Sequence, residues 1–377
     1  MPNLSAAIQA TSDPPIPTMR DWAAHHPPEA LLDLTQAVPG YPAHPGMLDR
    51  LARAAGTTGY GAIDGDVPLR EAVASEASAR YGAAITIEQV AITAGCNLAF
   101  VMTMAALAGP GARVGLPTPW FFNHQMTLTI QGATPVAIPC LAEDGFLPDP
   151  ARIAPLLDGL AALVLVTPNN PTGAIYPAAL LHELAAMCRA RGVWLVLDET
   201  YRDLLPDGPP HDLFQAPDWP DHLVHLYSFS KAYCVPGHRV GAILGGGAFR
   251  RALLKVIDSY QICPARPAQA ALAWAVPALA EWRANNRGVM AERADAARAA
   301  VARMPGWRLD SIGAYFAYLR VPDEGPDAMT LAKTLAQERG VVLLPGPFFG
   351  PGQERHIRLA FANCAPARIG EIPARLA

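Results

Sequence analysis

The chain has 377 residues, with 29 basic side chains against 33 acidic ones and a formal charge of −4. That balance excludes a protein built to neutralise nucleic-acid phosphates with a concentrated positive field. At 51% hydrophobic and 16% charged it has the make-up of a compact globular protein rather than a disordered one, and at roughly 100–200 residues per domain it is long enough for two domains.

No apolar run reaches the roughly 18 to 20 residues a membrane helix requires. The first residues carry no basic segment followed by an apolar one, so no secretory signal is read there and cytoplasm is the expected location. Six cysteines (Cys96, Cys140, Cys188, Cys234, Cys263, Cys364) are scattered without a CxxC pair, which fits neither a disulfide framework nor a zinc site, and no metal is expected. Only three of the basic residues are lysines, Lys231, Lys255 and Lys333.

The opening of the chain, with Pro14, Pro15, Pro17, Pro27 and Pro28, reads as an extended arm, because proline fixes φ and lacks a donor. Seven short Val/Ile/Leu-rich runs bounded by Gly, Pro or Asp then predict buried strands. The first, Val90 to Thr93, is followed by Gly95-Cys96-Asn97 and a helix from Leu98. Backbone N–H groups at such a helix start can hold an anion, although a simple tight turn reads equally well. The second, Arg113 to Leu116, leads through Pro117-Thr118-Pro119 to Trp120-Phe121-Phe122, an aromatic trio that suits either a core or the face of a flat ligand.

The third strand is Pro135 to Ile138 and the fourth Ala162 to Val166. After the fourth, Thr167-Pro168-Asn169-Asn170-Pro171-Thr172-Gly173 must be an irregular loop, since each proline disfavours helix for the residue before it. The stretch Pro177 to Arg191 places Leu180, Leu181, Leu184 and Met187 at helical steps,. The fifth strand, Val193 to Leu197, ends on Asp198-Glu199-Thr200-Tyr201. A carboxylate there is either a helix N-cap or the partner of a protonated heteroaromatic nitrogen.

The sixth strand, Val224 to Tyr227, runs into Ser228-Phe229-Ser230-Lys231. Ligands bind beyond the C-terminal ends of strands in open α/β sheets, and an amine there can form an imine with a carbonyl. A chain that uses arginine almost everywhere else has little need of a merely solvated lysine at this place. Arg239, in Pro236-Gly237-His238-Arg239-Val240-Gly241, offers a phosphate a planar fork of donors, or is a surface ion pair. The seventh strand is Val240 to Leu244. Strands alternating with helices mean a mostly parallel sheet covered by helices on both faces.

From about residue 270 the pattern changes. Ala271 to Met304 is Ala/Arg-rich and helical, followed by a strand at Tyr315 to Leu319, a helix at Ala328 to Arg339 and a strand at Val341 to Leu344. These predict a smaller α+β domain. The expected division is 1–42 as arm and part of the small domain, 43–272 as a large domain, and 273–377 as a small C-terminal domain.

Taken together and in order, Asn170-Pro171-Thr172-Gly173, Asp198-Glu199-Thr200-Tyr201, Ser228-Phe229-Ser230-Lys231 and Pro236-Gly237-His238-Arg239-Val240-Gly241 resemble the pyridoxal-phosphate-dependent class I/II aminotransferases of fold type I, the aspartate aminotransferase superfamily. Tyr60 with Gly65, Leu69 and Arg70, the Gly95 turn, Pro119 to His124, and Arg358-Leu359-Ala360-Phe361 fit the same pattern. The resemblance spans roughly residues 30 to 365.

The resemblance implies a homodimeric enzyme of amino acid metabolism that moves an amino group between an L-amino acid and a 2-oxo acid. Lys231 would form the internal aldimine and shuttle the proton at Cα. Asp198 would keep the pyridine nitrogen protonated, and Asn170 and Tyr201 would hydrogen-bond the phenolate oxygen. Arg239, Ser228, Ser230 and the backbone of Gly95, Cys96 and Asn97 would hold the phosphate, with Tyr60 reaching the other subunit's cofactor. Phe121 would stack on the ring, with Trp120 the alternative. Arg358 would clamp the substrate α-carboxylate, and Gln36 to Tyr41, with Val38, would line an apolar side-chain pocket suited to neutral or aromatic amino acids. The nearest rival keeps the cofactor and Lys231 but eliminates at Cβ or Cγ, as carbon–sulfur lyases of this fold do.

Overall fold

The computed structural model describes residues 2–376. All seven predicted strands are present, with ends displaced by at most two residues: β1 (Val90–Thr93), β2 (Arg113–Thr118), β3 (Thr134–Pro139), β4 (Leu160–Val166), β5 (Trp194–Asp198), β6 (Leu223–Ser228) and β7 (Gly241–Leu244). They form one sheet in the order β1-β7-β6-β5-β4-β2-β3. Only β7 runs antiparallel to its neighbours, β6 and β1.

Successive side chains of a strand point to opposite faces, and here both faces are apolar. Leu163 and Leu165 of β4 with Leu195 and Leu197 of β5 join one apolar cluster. The intervening Ala162, Val164 and Val196 join another on the opposite side. Burial on both sides is why these strands read as continuous apolar runs rather than alternating ones.

A second, four-stranded antiparallel sheet is built from β8 (Arg308–Gly313), β9 (Phe316–Arg320), β10 (Leu344–Pro345) and β11 (His356–Ala360), in the order β10-β11-β9-β8. Leu32–Asp33 pairs in parallel with Val341–Val342. The predicted strand at 341–344 is therefore divided between two sheets. Leu32 and Leu34 share an apolar core with Ala297, Ala317, Leu359 and Ile369, so the beginning of the chain packs with its last third.

Two local expectations are corrected. The proline-rich opening is not an extended arm throughout, because Ala6–Gln9 and Pro15–Trp22 are helices. Proline in a first helical turn gives up only a donor that would be unsatisfied there anyway. The helical region 271–304 is two helices, Arg266–Ala278 and Ala280–Val301, separated at Leu279, whose φ of −107° leaves the helical region,. Among the described residues no helix is long and apolar enough to cross a membrane.

Candidate active site

The C-terminal ends of β4, β5 and β6, the turn after β1 and the middle of β11 converge on one cavity of about 260 Å³, close to the lower end of small-molecule sites (~300–1,000 Å³). Lys231, Asp198, Tyr201, Asn170, Ser228, Ser230, Arg239, Arg358, Phe121, Cys96, Asn97 and Val38 all line it. Gly95 is not in its lining but approaches Arg239, which is, and Tyr60 stands apart from it, 83% exposed.

Lys231 lies in the short helix Phe229–Ala232 that follows β6, capped by the Ser228 hydroxyl accepting from the Ser230 amide at 3.3 Å. Its Nζ donates to the carbonyl of Ala37 at 2.7 Å, and the Tyr315 hydroxyl donates to its own carbonyl at 3.3 Å. Burial, followed by the positive charges of Arg358 and Arg239, lowers the ammonium to about 8. An appreciable fraction is then a neutral, nucleophilic amine near neutral pH, which an exposed lysine is not.

Asp198 ends β5, 5% exposed. Burial alone raises its carboxyl, but the hydrogen bond and charge of His124 and the bonds from Thr200 outweigh that and hold it below the ordinary value. The Thr200 amide donates to Oδ1 at 3.0 Å, and His124 Nε2 stands 3.4 Å from Oδ2. The His124 ring is stacked on Phe100 at 3.9 Å between centroids and meets the edge of Phe121. The result is a fixed negative charge at the floor of the cavity, ready for a cationic ring nitrogen. The sequence placed His124 in register but gave no sign of its bond to Asp198, and Phe100 carried no signal at all.

One end of the cavity is built around Gly95, which approaches the Arg239 guanidinium. Its φ of +90° belongs to glycine, and a Cβ there would collide with the Arg239 guanidinium. Arg239 itself takes the left-handed backbone, φ 51°, just before β7. The helix starts at Cys96, two residues earlier than expected, so the amides of Cys96 and Asn97 lie in its first turn. The Ser230 hydroxyl is buried and has no partner. A buried hydroxyl without a partner is costly, and Ser230 lines the same cavity as Arg239, Cys96 and Asn97.

At the other end, Arg358 rises from β11, 2% exposed. It donates to Asn170 Oδ1 at 2.8 Å and to the carbonyl of Thr35, and its guanidinium lies over Phe316 and Phe349. Burial lowers it to about 10, so it remains a cation at neutral pH. Tyr201 packs edge-on against Tyr315 and Phe316, and burial holds its phenol protonated. Phe121 faces the cavity, whereas Trp120 does not. Its amide donates to the Phe349 carbonyl at 2.8 Å and its ring packs beside Gly350. Ile16, on the first helix of appreciable length, and Gln36 also line the wall.

Three cations and one carboxylate in a cavity with an anion cradle at one end and a buried arginine at the other suit a ligand pair with two anionic groups and a flat ring between them. Among the described residues no group of three or more His, Cys, Asp or Glu side chains could hold a metal ion.

Comparison with known proteins agrees with this arrangement. The sequence profile described as "Aminotransferase class I and II" matches residues 27–376. An arginine–pyruvate transaminase of Pseudomonas aeruginosa is 31% identical over 312 residues, covering 81% of this chain and 78% of that one. A probable aspartate/prephenate aminotransferase of Thermus aquaticus is 30% identical over 342 residues, 88% of this chain and 87% of that one. The solved structure of an aspartate aminotransferase from Thermus thermophilus with maleate superposes with a TM-score of 0.92 at 27% identity, covering 100% of this chain and 99% of that one.

Proposed function

The chain belongs to the class I and II aminotransferases, a pyridoxal-phosphate-dependent family, and from that premise we propose how its own residues divide the work of moving an amino group between an L-amino acid and a 2-oxo acid. The observation that carries the reading is the convergence, in one cavity, of a lysine lowered to about 8, a buried carboxylate and two arginines at separate ends.

The residues fit the cofactor. Arg239, Ser228, the unpartnered Ser230 hydroxyl and the amides of Cys96 and Asn97 would hold its phosphate, Phe121 would cover its ring, and Asp198 would face its ring nitrogen. Bound there, pyridoxal phosphate supplies an aldehyde carbon for the lysine and substrate amines and a ring that takes up the electron pair left when a Cα bond breaks.

Around it, Lys231 is the base that takes the proton from the substrate Cα and returns it elsewhere, a task suited to an amine poised near neutral pH. Asp198, held ionised by His124 and Thr200, keeps a positive charge in place opposite it. Tyr201 and Asn170 donate hydrogen bonds to a phenolate oxygen. Arg358, already aligned by Asn170 and Thr35, takes the α-carboxylate in a two-point grip and so fixes which Cα bond is presented for cleavage. Ile16, Ala37, Val38 and Phe121 supply an apolar wall, which supports amino acids with neutral or aromatic side chains.

The exposed Tyr60 belongs to a segment tied down by the Arg266–Asp66 ion pair at 3.1 Å, with Tyr260 and Ile262 also exposed. We propose that this face meets a second copy of the chain, with Tyr60 reaching the partner's phosphate site. The separate core uniting Leu32 and Leu34 with residues 297–372 supports a division at about 42 and 272 into an arm with part of a small domain, a large domain and a small C-terminal domain. Six unpaired cysteines suit a reducing, cytoplasmic setting.

The test is a half-reaction screen, in which the visible spectrum of the pyridoxal-phosphate-loaded protein is followed as single amino acids are added. Bleaching by neutral or aromatic amino acids, restored by a 2-oxo acid and absent in Lys231→Ala, is expected. Ammonia and pyruvate released from cysteine with no 2-oxo acid present would decide for a lyase instead.

A further inference from the structure

Asp198 and Tyr201 line the cavity, but the charged residues beside them in the chain do not. Glu199, Arg202 and Asp203 turn into the protein, 0%, 2% and 5% exposed. Glu199 Oε2 accepts from the Tyr81 hydroxyl and stands 3.0 Å from His225 Nε2 and 3.3 Å from His211 Nε2. Arg202 donates to the Tyr81 hydroxyl at 3.1 Å and to Glu76, and its guanidinium lies 4.1 Å over the Tyr227 ring. Asp203 accepts from Arg283, from the Tyr227 hydroxyl at 2.6 Å and from Arg80 at 3.4 Å.

These partners come from the helix Val67–Tyr81, from β6, from the segment at His211 and from the helix Ala280–Val301. That last helix also donates from Arg293 to the carbonyl of Ala362, two residues beyond the end of β11, the strand that carries Arg358. One helix therefore touches both the anchor of Tyr201 and the end of the strand bearing Arg358.

Stability alone does not call for this arrangement. Replacing a buried ion pair with well-packed apolar groups is often neutral or stabilising. What buried charges do, and apolar groups do not, is penalise small displacements, since each leaves a charge without its partner. We propose that Glu199, Arg202 and Asp203 are positioning residues that hold the segment 198–203 in one geometry and thereby set Asp198 and Tyr201 relative to Lys231. The inference rests on the reading above for what Asp198 and Tyr201 do, but its first test does not.

That test is amide hydrogen exchange on the cofactor-free protein. The amides of Glu199, Arg202 and Leu204 are bonded to the carbonyls of Leu226, Glu199 and Tyr201, each at 3.0 Å. In Glu199→Gln and Asp203→Asn, exchange across 199–204 is expected to accelerate by about tenfold while the β5 amides stay unchanged, the mark of a local opening rather than a global one. Arg202→Lys, which keeps the charge but loses the fork, provides the same readout should either neutral variant fail to fold.

The second measurement is the pH midpoint of the visible absorbance after loading with pyridoxal phosphate. It is expected to move by about half a unit in these variants, and by less when the same substitutions are made in a Tyr201→Phe background, where only the displacement of Asp198 still acts. With it, kcat is expected to fall about tenfold with KM nearly constant. Unchanged loop exchange, or a lowered Tm with an unmoved midpoint, overturns the inference by reducing the network to a structural role. A wild-type protein that takes up no pyridoxal phosphate defeats the proposed function instead, and the exchange experiment still decides whether the network holds the loop.

Discussion

The guanidinium of Arg358 donates to the side-chain oxygen of Asn170 at 2.8 Å, so a hydrogen bond inside the cavity ties a strand of the small sheet to a loop of the large one. That bond fixes the orientation of the arginine fork before any substrate arrives. Arg358→Lys keeps the charge but not the planar pair of donors. KM for both amino acid and 2-oxo acid is expected to rise about 10- to 100-fold, one to two steps of about 1.4 kcal/mol. Asn170→Ala should do the same more weakly, because the fork survives and keeps the Thr35 carbonyl as its remaining guide. Steady-state kinetics with both substrates measures this, and a kcat effect without a KM effect would contradict it.

Asp198 matters for its charge, and His124 matters because it keeps that charge in place. Asp198→Asn should lower kcat by about 10²–10⁴-fold, the range associated with losing a protonation partner in a transition state. His124→Leu leaves the carboxylate but removes its hydrogen-bonding neighbour, so a smaller loss is expected, with the two effects less than additive in the double variant. Single-turnover rates with one amino acid separate this from slower product release.

The same pair shows what the sequence could reveal. Asp198 was legible because a carboxylate closing a doubly buried strand is costly and invites an explanation. The seven strands were legible for a related reason, since burial on both faces writes a continuous apolar run into the chain. The His124 contact was not, because it depends on the Phe100 stack that holds the ring, and no local pattern encodes a contact between separate helices. Nor did local pattern show that Arg202 and Asp203 would be buried, as charged residues after a strand ordinarily face water. The helix Pro15–Trp22 was hidden by its prolines, which look like breakers unless they fall in the first turn.

Lys231 gives the stability of the cofactor-free protein a pH dependence with a definite sign. Its amine titrates at about 8 in the folded chain against 10.5 as the reference value. Between those two values the unfolded chain binds more protons than the folded one, so stability rises with pH across that window. Below about 8 both states are protonated and this contribution is a constant penalty. Lys231→Met removes it. The variant should therefore unfold at a higher temperature than wild type at pH 7.5, and the gap should narrow by pH 10. Calorimetry at both pH values checks this, and a gap that widens with pH would contradict it.

Gly95 tests the phosphate cradle from the backbone side. At φ +90° any side chain is strained, and a methyl group would press on the Arg239 guanidinium. Gly95→Ala is expected to weaken pyridoxal phosphate binding by about tenfold or more, since a strained backbone residue costs about 1–3 kcal/mol. Free pyridoxal, which lacks the phosphate, should be affected less. Absorbance titrations with the two aldehydes make the comparison, and equal losses for both would place the damage elsewhere than at the cradle.

Ser230 separates the folded protein's needs from those of its ligand. Its hydroxyl is buried without a partner, so in the cofactor-free protein it forfeits hydrogen bonds it would make in water. Removing such an orphan should help the fold, and Ser230→Ala is expected to stabilise the cofactor-free protein by about 1 kcal/mol. In the loaded protein the same hydroxyl would donate to phosphate, a charge-assisted bond stronger than an ordinary one, so the substitution should weaken cofactor binding by about tenfold. Stability and affinity therefore move in opposite directions. Thermal unfolding with and without pyridoxal phosphate reads both at once, and a variant that loses stability in the cofactor-free state would show that the hydroxyl serves the fold rather than the phosphate.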